Sequence, residues 1–152
     1  MNDLQKLFEE VQILNNDITR ILKKSNYEEA EDLSSLIIDE KNPEQLLLKD
    51  QLRNILNLLQ EVKYDVDYLS RPIKFYSKLR KEKDGKYETE NGKAYYSSGA
   101  PIEALIYSDY NGCKKWVATR VEFAHDIKDY YLYGYKDVEM NGLEVRVRES
   151  LF

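Results

Sequence analysis

At Arg71-Pro72 the recurrence of apolar residues changes from about 3.6 to about 2, dividing the chain into a helical part and a strand part. Before the break, Leu4, Leu7, Val11, Leu14, Ile18 and Ile21 recur in steps of three and four. That is a heptad seam, widened by Phe8 and Leu22, and it predicts a helix over residues 4–22. Lys23-Lys24 place positive charge where the helix dipole is negative. Ser25 with Glu28 reads as a capping box, opening a shorter helix through Leu33, Leu36 and Ile37. Asn42-Pro43-Glu44 combines an N-cap residue, a proline at the first helical position and an early acid. The seam then resumes as Leu48, Leu52, Ile55, Leu59, Val62, Val66 and Leu69, predicting a helix over 44–69 that ends because the residue before Pro72 is pushed out of the α region. The two seams pair as an antiparallel hairpin. Internal packing is the first use of such seams, and a homodimer through the hairpin is the alternative.

Beyond Pro72 the pattern is that of strands. Ile73, Phe75 and Leu79 alternate with Lys74, Tyr76, Lys78 and Arg80, with Ser77 on the apolar side. Asp84-Gly85, Asn91-Gly92, Asn111-Gly112 and Asn141-Gly142 are turn signals. Between and around them lie short strands at Tyr87, Ile102–Tyr107, Trp116–Phe123, Tyr130–Tyr135 and Leu143–Arg148. The fold class expected is α+β: a helical hairpin over 1–70, then a small β domain over 71–152, built as an SH3-like barrel or a strongly bent antiparallel sheet.

Charge follows the same boundary. Residues 1–70 carry 8 Lys+Arg against 15 Asp+Glu, a net of −7, whereas residues 71–152 carry 15 against 13, a net of +2. Ten of the 13 tyrosines fall in the second part, so the two halves offer different surfaces to partners. Met1–Lys6 has no basic start followed by an apolar run, so no secretory signal is expected. No apolar run approaches the roughly 18 residues that span a bilayer. One cysteine, Cys113, and one histidine exclude an internal disulfide and a Cys/His metal site. These features predict a water-soluble cytoplasmic protein with no membrane partner.

Chemistry-bearing motifs are sparse. His125-Asp126 is the single His–carboxylate pair in sequence, in an expected loop, and Cys113 and Ser97-Ser98 have no nucleophile motif around them. No phosphate-cradling glycine loop and no calcium-loop pattern occurs, so no cofactor, metal or catalytic residue is expected. The informative constellation is the outward side of the strands. Alternation sends Lys74, Tyr76 and Lys78 outward on one strand and Trp116 with Arg120 on another. Tyr131, Tyr133 and Tyr135 share a side of the next, and Arg146 and Arg148 face out on the last. Joined on one sheet, they form a basic, aromatic face of the kind that anchors protein interfaces or stacks single-stranded nucleic acid. Tyrosine also favours strands for packing alone.

The β half resembles an uncharacterised family of small proteins, a domain of unknown function, from Gram-positive bacteria and their plasmids and conjugative elements. The resemblance runs over about residues 71–149 and rests on Arg71-Pro72-Ile73, Gly99-Ala100-Pro101-Ile102-Glu103, Trp116-Val117-Ala118-Thr119-Arg120-Val121-Glu122, Tyr130–Tyr135 and Gly142–Arg148. It implies a helical hairpin before the β domain, association with mobile elements, and no catalytic residues. Together these readings predict a non-enzymatic binding module, an accessory protein of a mobile element, with protein ranking ahead of nucleic acid as partner. Two alternatives stay open. One is an anti-CRISPR-like inhibitor of a host defence system, using the acidic stretch Glu28-Glu29-Ala30-Glu31-Asp32 as a decoy. The other is a single-stranded nucleic-acid-binding protein using the basic, aromatic face.

Overall fold

A computed structural model describes residues 2–27 and 33–150. The chain divides into two compact units, Met1–Arg71 and Pro72–Phe152. The acidic stretch at 28–32 lies outside the described residues. No helix among the described residues is long and apolar enough to cross a membrane.

Among its described residues the first unit holds the helices α1 (Asp3–Ser25) and α2 (Pro43–Ser70). Asn2 and Gln5 form a capping box at the start of α1, and Asn42 caps α2 with proline in its first turn. The helix end expected at Leu22 runs on to Ser25, whose hydroxyl donates to the Leu22 carbonyl. Asn26 closes α1 in the left-handed conformation (φ 53°), a role asparagine fills when glycine is absent. The short helix expected from Ser25 through Ile37 falls in part on residues 28–32, outside the described residues; residues 33–42 are turns, bends and irregular chain, with Leu33 in the core and Leu36 and Ile37 facing solvent.

The helices run antiparallel, as the bonds between them show: Gln12 Nε2 donates to Ser70 Oγ (2.9 Å) and Asn15 Nδ2 to Asp67 Oδ1 (2.9 Å), while the Tyr27 hydroxyl donates to Asn57 Oδ1. Their shared core is Ile18, Leu22, Tyr27, Leu33 and Leu56, flanked by Leu52 and Leu59. This corrects the expected seam. Asn15, Ile18, Leu22 and Ser25 are buried, whereas Leu4, Leu7, Leu14 and Ile21 stay exposed. On α2, Leu56 and Val66 are buried while Leu48, Ile55, Val62 and Leu69 are exposed. The apolar stripe on each helix is wider than one seam, and the hairpin closes on one edge of it.

The second unit is an antiparallel sheet of seven strands in the order β3-β2-β1-β7-β4-β5-β6. The strands are β1 (Ile73–Lys81), β2 (Tyr87–Thr89), β3 (Tyr95–Tyr96), β4 (Pro101–Ser108), β5 (Cys113–Ala124), β6 (Asp129–Leu132) and β7 (Glu144–Arg148). Alternation in β1 is as the sequence predicts, with Leu79 buried and Lys74, Tyr76, Lys78 and Arg80 exposed. A two-residue strand such as β3 is too short to show a period and was not expected.

A connection shows that the sheet must bend. β3 ends at Tyr96, yet Ala100 already lies on the line of β4, where its carbonyl accepts from Val121 N–H of β5 at 2.8 Å. Laid flat, four strand spacings would separate β3 from β4 by about 19 Å. Four residues of extended chain reach only about 14 Å. The sheet therefore curls around one core, which draws on Leu79, Tyr87, Tyr96, Ala104, Val121 and Val145 from across its width. No pairing joins β3 to β6 among the described residues. Of the two forms anticipated, the strongly bent open sheet is the one found, a half-barrel rather than a closed barrel.

Burial in that core pushes the Tyr96 phenol up to about 12. The unfolded phenol ionises near pH 10, so the folded state holds its advantage below pH 10 and loses it as pH climbs toward 12. The loss expected is on the order of 2–3 kcal/mol. Urea midpoints at pH 9 and pH 11.5 should therefore fall more for the native chain than for Tyr96→Phe. Equal falls would mean that Tyr96 reaches water.

Candidate binding surface

Strand register brings the outward residues into rows. Tyr76 of β1 pairs with Arg146 of β7, which pairs with Glu103 of β4, which pairs with Ala118 of β5. One step along, Lys78 faces Glu144, and Leu105 faces Trp116. One step the other way, Pro101 faces Arg120, whose carbonyl accepts from Tyr133 N–H at 2.9 Å. Glu122 pairs with Tyr131 of β6. Tyr76, Lys78, Trp116, Arg120, Tyr131, Tyr133, Arg146 and Arg148 thus share the convex side of the curled sheet, by register and strand alternation, whereas Lys74 sits at an irregularity of the β1–β7 register, where Ile73 lies opposite Arg148.

Tyr135 does not join them. β6 ends at Leu132, and Gly134 (φ +80°) supplies a backbone conformation that side-chain-bearing residues rarely adopt. The chain turns there, Leu132 bridges to Tyr135, and Tyr135 packs against the inner core. Extending one strand's alternation through that glycine is what misplaced it.

The middle of the face is organised by Glu103, a residue that sequence reasoning did not single out. It is only 6% exposed although it points away from the core. Arg146 meets it with two nitrogens, Nε at 3.2 Å and Nη2 at 2.9 Å from Oε1. Arg148 Nε donates to Oε2 at 2.7 Å. Stripped of most water, a lone carboxylate would be costly, and two guanidinium forks satisfy its lone pairs. The Arg146 guanidinium also lies over the Trp116 ring, 4.4 Å from its centre, and the Tyr76 ring stands 5.9 Å from Trp116, tilted by 54°. Beside this cluster is an open depression of about 600 Å³, lined by Tyr76, Lys78, Trp116 and Glu144, with Glu90 and Asn91 from the β2–β3 turn.

The charge balance differs from the basic face expected. Arg146 and Arg148 are held by Glu103, and Arg120 pairs with Glu122, whose hydrogen bond pushes the guanidinium further above its ordinary range. Among the described residues only Lys74 and Lys78 of the expected cations form no carboxylate pair. Ring faces are taken up in the same way. Arg120 lies 3.6 Å from the centre of the Tyr133 ring and Lys136 lies 5.4 Å from that of Tyr131. The physical reason is the arrival of Glu103, Glu122 and Glu144 on the same side, which depends on register between strands distant in sequence.

The other reactive residues stand apart. His125 is exposed in the β5–β6 turn, with its ring edge-on to Phe123 at 5.1 Å. Asp126 is drawn below the ordinary carboxylate range by its hydrogen bond to Lys136 rather than by His125. Cys113 is exposed at the start of β5, and Ser98 Oγ bonds to Glu122 Oε2 at 3.3 Å.

The span from Lys78 to Val147 contains the Glu103, Trp116 and Arg146 cluster, and this span matches a known family model. A domain of unknown function, DUF5348, is found at residues 78–147. No curated protein and no solved structure matches the chain. The DUF5348 domain thus holds the centre of the face, whereas Lys74, Tyr76 and Arg148 lie just outside the matched span. Resemblance to a domain of unknown function was expected over 71–149 and is found over this shorter stretch.

Proposed function

We propose that the DUF5348 domain with its flanking residues 72–77 and 148–150 is a non-enzymatic binding module, and that the convex sheet face around Trp116 docks a protein partner. One observation carries this reading: Glu103, Arg146, Trp116 and Tyr76 are locked to one another on an outward face, which no core packing requires. Trp, Tyr and Arg are the commonest anchors of protein interfaces, and anchors already fixed in place lose little freedom on binding. The same locking works against nucleic acid. Three arginines on the face have carboxylate partners, and cations cover one side of the Trp116, Tyr131 and Tyr133 rings, where bases would stack. The resemblance to a family carried on plasmids and conjugative elements supports the further proposal that the chain is an accessory protein of a mobile element, acting in the cytoplasm of a Gram-positive host.

The test is capture of host proteins on the immobilised full chain, with and without nuclease, alongside titration of a single-stranded oligonucleotide. A partner retained through nuclease treatment is expected, with oligonucleotide affinity no tighter than about 10⁻⁴ M at physiological salt. Capture that disappears with nuclease, or micromolar oligonucleotide binding with a steep salt dependence, would move the function to nucleic acid.

A further inference from the structure

We infer that the helical unit pairs with a second copy of itself through an apolar face spanning both helices, forming a four-helix bundle from two hairpins. On α1, Leu7, Leu14 and Ile21 repeat at seven-residue intervals and remain 62%, 53% and 39% exposed. On α2, Leu48, Ile55, Val62 and Leu69 do the same, all at 40% exposure or more. At 100° per residue each stripe lies roughly 70–80° from the direction in which its helix meets the other. On both helices the offset runs toward lower positions on the helical wheel. In an antiparallel pair that puts the two stripes on the same side of the hairpin, so they join into one face.

The width of that face indicates its occupant. A helix in a two-helix hairpin needs one seam, whereas a helix in a four-helix bundle presents a stripe wide enough for two neighbours. Here each helix has the wider stripe and half of it is used. A single added helix would lie nearer the line of contact within the hairpin, and would leave Leu58, 61% exposed beyond the α2 stripe, uncovered. Two added helices cover the stripes and Leu58 together. Eight half-exposed aliphatic side chains, at an apolar area on the order of 60–120 Å² each, make roughly 700 Å². That exceeds the largest apolar patch of a typical monomer and approaches the ~800 Å² per partner of a standard interface.

Charge sets the sign of the salt effect. Asp3, Glu10 and Asp17 on α1 and Glu44 and Asp65 on α2 border the face by the same helical-wheel count, with Lys6 and Lys24 further out. Two copies bring acidic borders together, so added salt should tighten this dimer. A basic partner helix would show the opposite dependence.

Sedimentation equilibrium of the full chain over about 1–100 µM, at low and high salt, tests the proposal. A monomer–dimer equilibrium is expected, tighter at high salt. Leu14→Glu with Ile55→Glu should weaken it by at least about 100-fold, because each would bury a charge, and helicity should hold because neither residue packs within the hairpin. Trp116→Ala should leave the dimer unchanged, which separates this inference from the sheet-face proposal. A monomer throughout, an assembly that grows past two copies, or a dimer that survives the double substitution would overturn it.

Discussion

Replacing Glu103 by Gln should destabilise the β unit by about 3 kcal/mol, the lower end of the cost of removing one partner from a buried ion pair. The substitution keeps the side chain's shape but turns a neutral amide toward Arg146 and Arg148, removing the carboxylate charge that both guanidinium groups meet at this position. The arginines keep some access to water, which holds the effect near that lower end. The location enlarges the consequence, since Glu103 with Arg146 is one of the registered pairs, beside Ala104 with Val145, that join β4 to β7. In thermal unfolding of a unit this size, 3 kcal/mol corresponds to roughly 12–24 °C. The apolar replacement Glu103→Leu, Arg146→Met and Arg148→Leu should come back to near the native midpoint, because such triads often stabilise little against well-packed apolar side chains. A Glu103→Gln shift below about 5 °C would mean that the triad is solvated and does not hold the seam.

The second large effect concerns binding. Trp116→Ala should weaken capture of the protein partner by about 30-fold or more, the loss of at least about 2 kcal/mol that marks an interface anchor. The stability cost should be smaller, about 1–2 kcal/mol, since the ring is half-buried and its losses are contacts with Arg146 and Tyr76. Tyr110→Ala is the matched control: an aromatic 97% exposed in the β4–β5 turn, expected to change neither binding nor stability. The measurement is retention of the captured protein across a dilution series of each variant. Equal retention by Trp116→Ala and the native chain would remove the convex face from consideration.

What the sequence shows of this fold divides by distance along the chain. Local signals are legible: Asn42-Pro43 starts α2, Pro72 ends the helical part, and Asp84-Gly85, Asn91-Gly92, Asn111-Gly112 and Asn141-Gly142 all fall in turns. The outward side of β1 follows from its alternation. Decisions that depend on partners are not legible. Positions 11 and 18 belong to both edges of the α1 stripe, so steps of three and four do not say which edge meets α2. Glu103 sits between Ile102 and Ala104, an acid inside an apolar strand, and that was the available clue to a buried ion pair. Its partners could not be read, because they come from a strand more than 40 residues away (|i−j| 43 and 45).

The position of β7 between β1 and β4 has a consequence for synthesis. Emerging from the ribosome, residues 73–96 can form the three-stranded piece β1-β2-β3, and residues 101–132 can form β4-β5-β6. Neither piece pairs with the other until Glu144–Arg148 inserts between them and fills both inner edges at once. At about 5–20 residues per second, the stretch from Leu132 to Arg148 takes about 1–3 s to make, and both edges stay unfilled for that time. The nascent β unit is therefore most open to mispairing, or to a chaperone, during the interval that precedes its last strand.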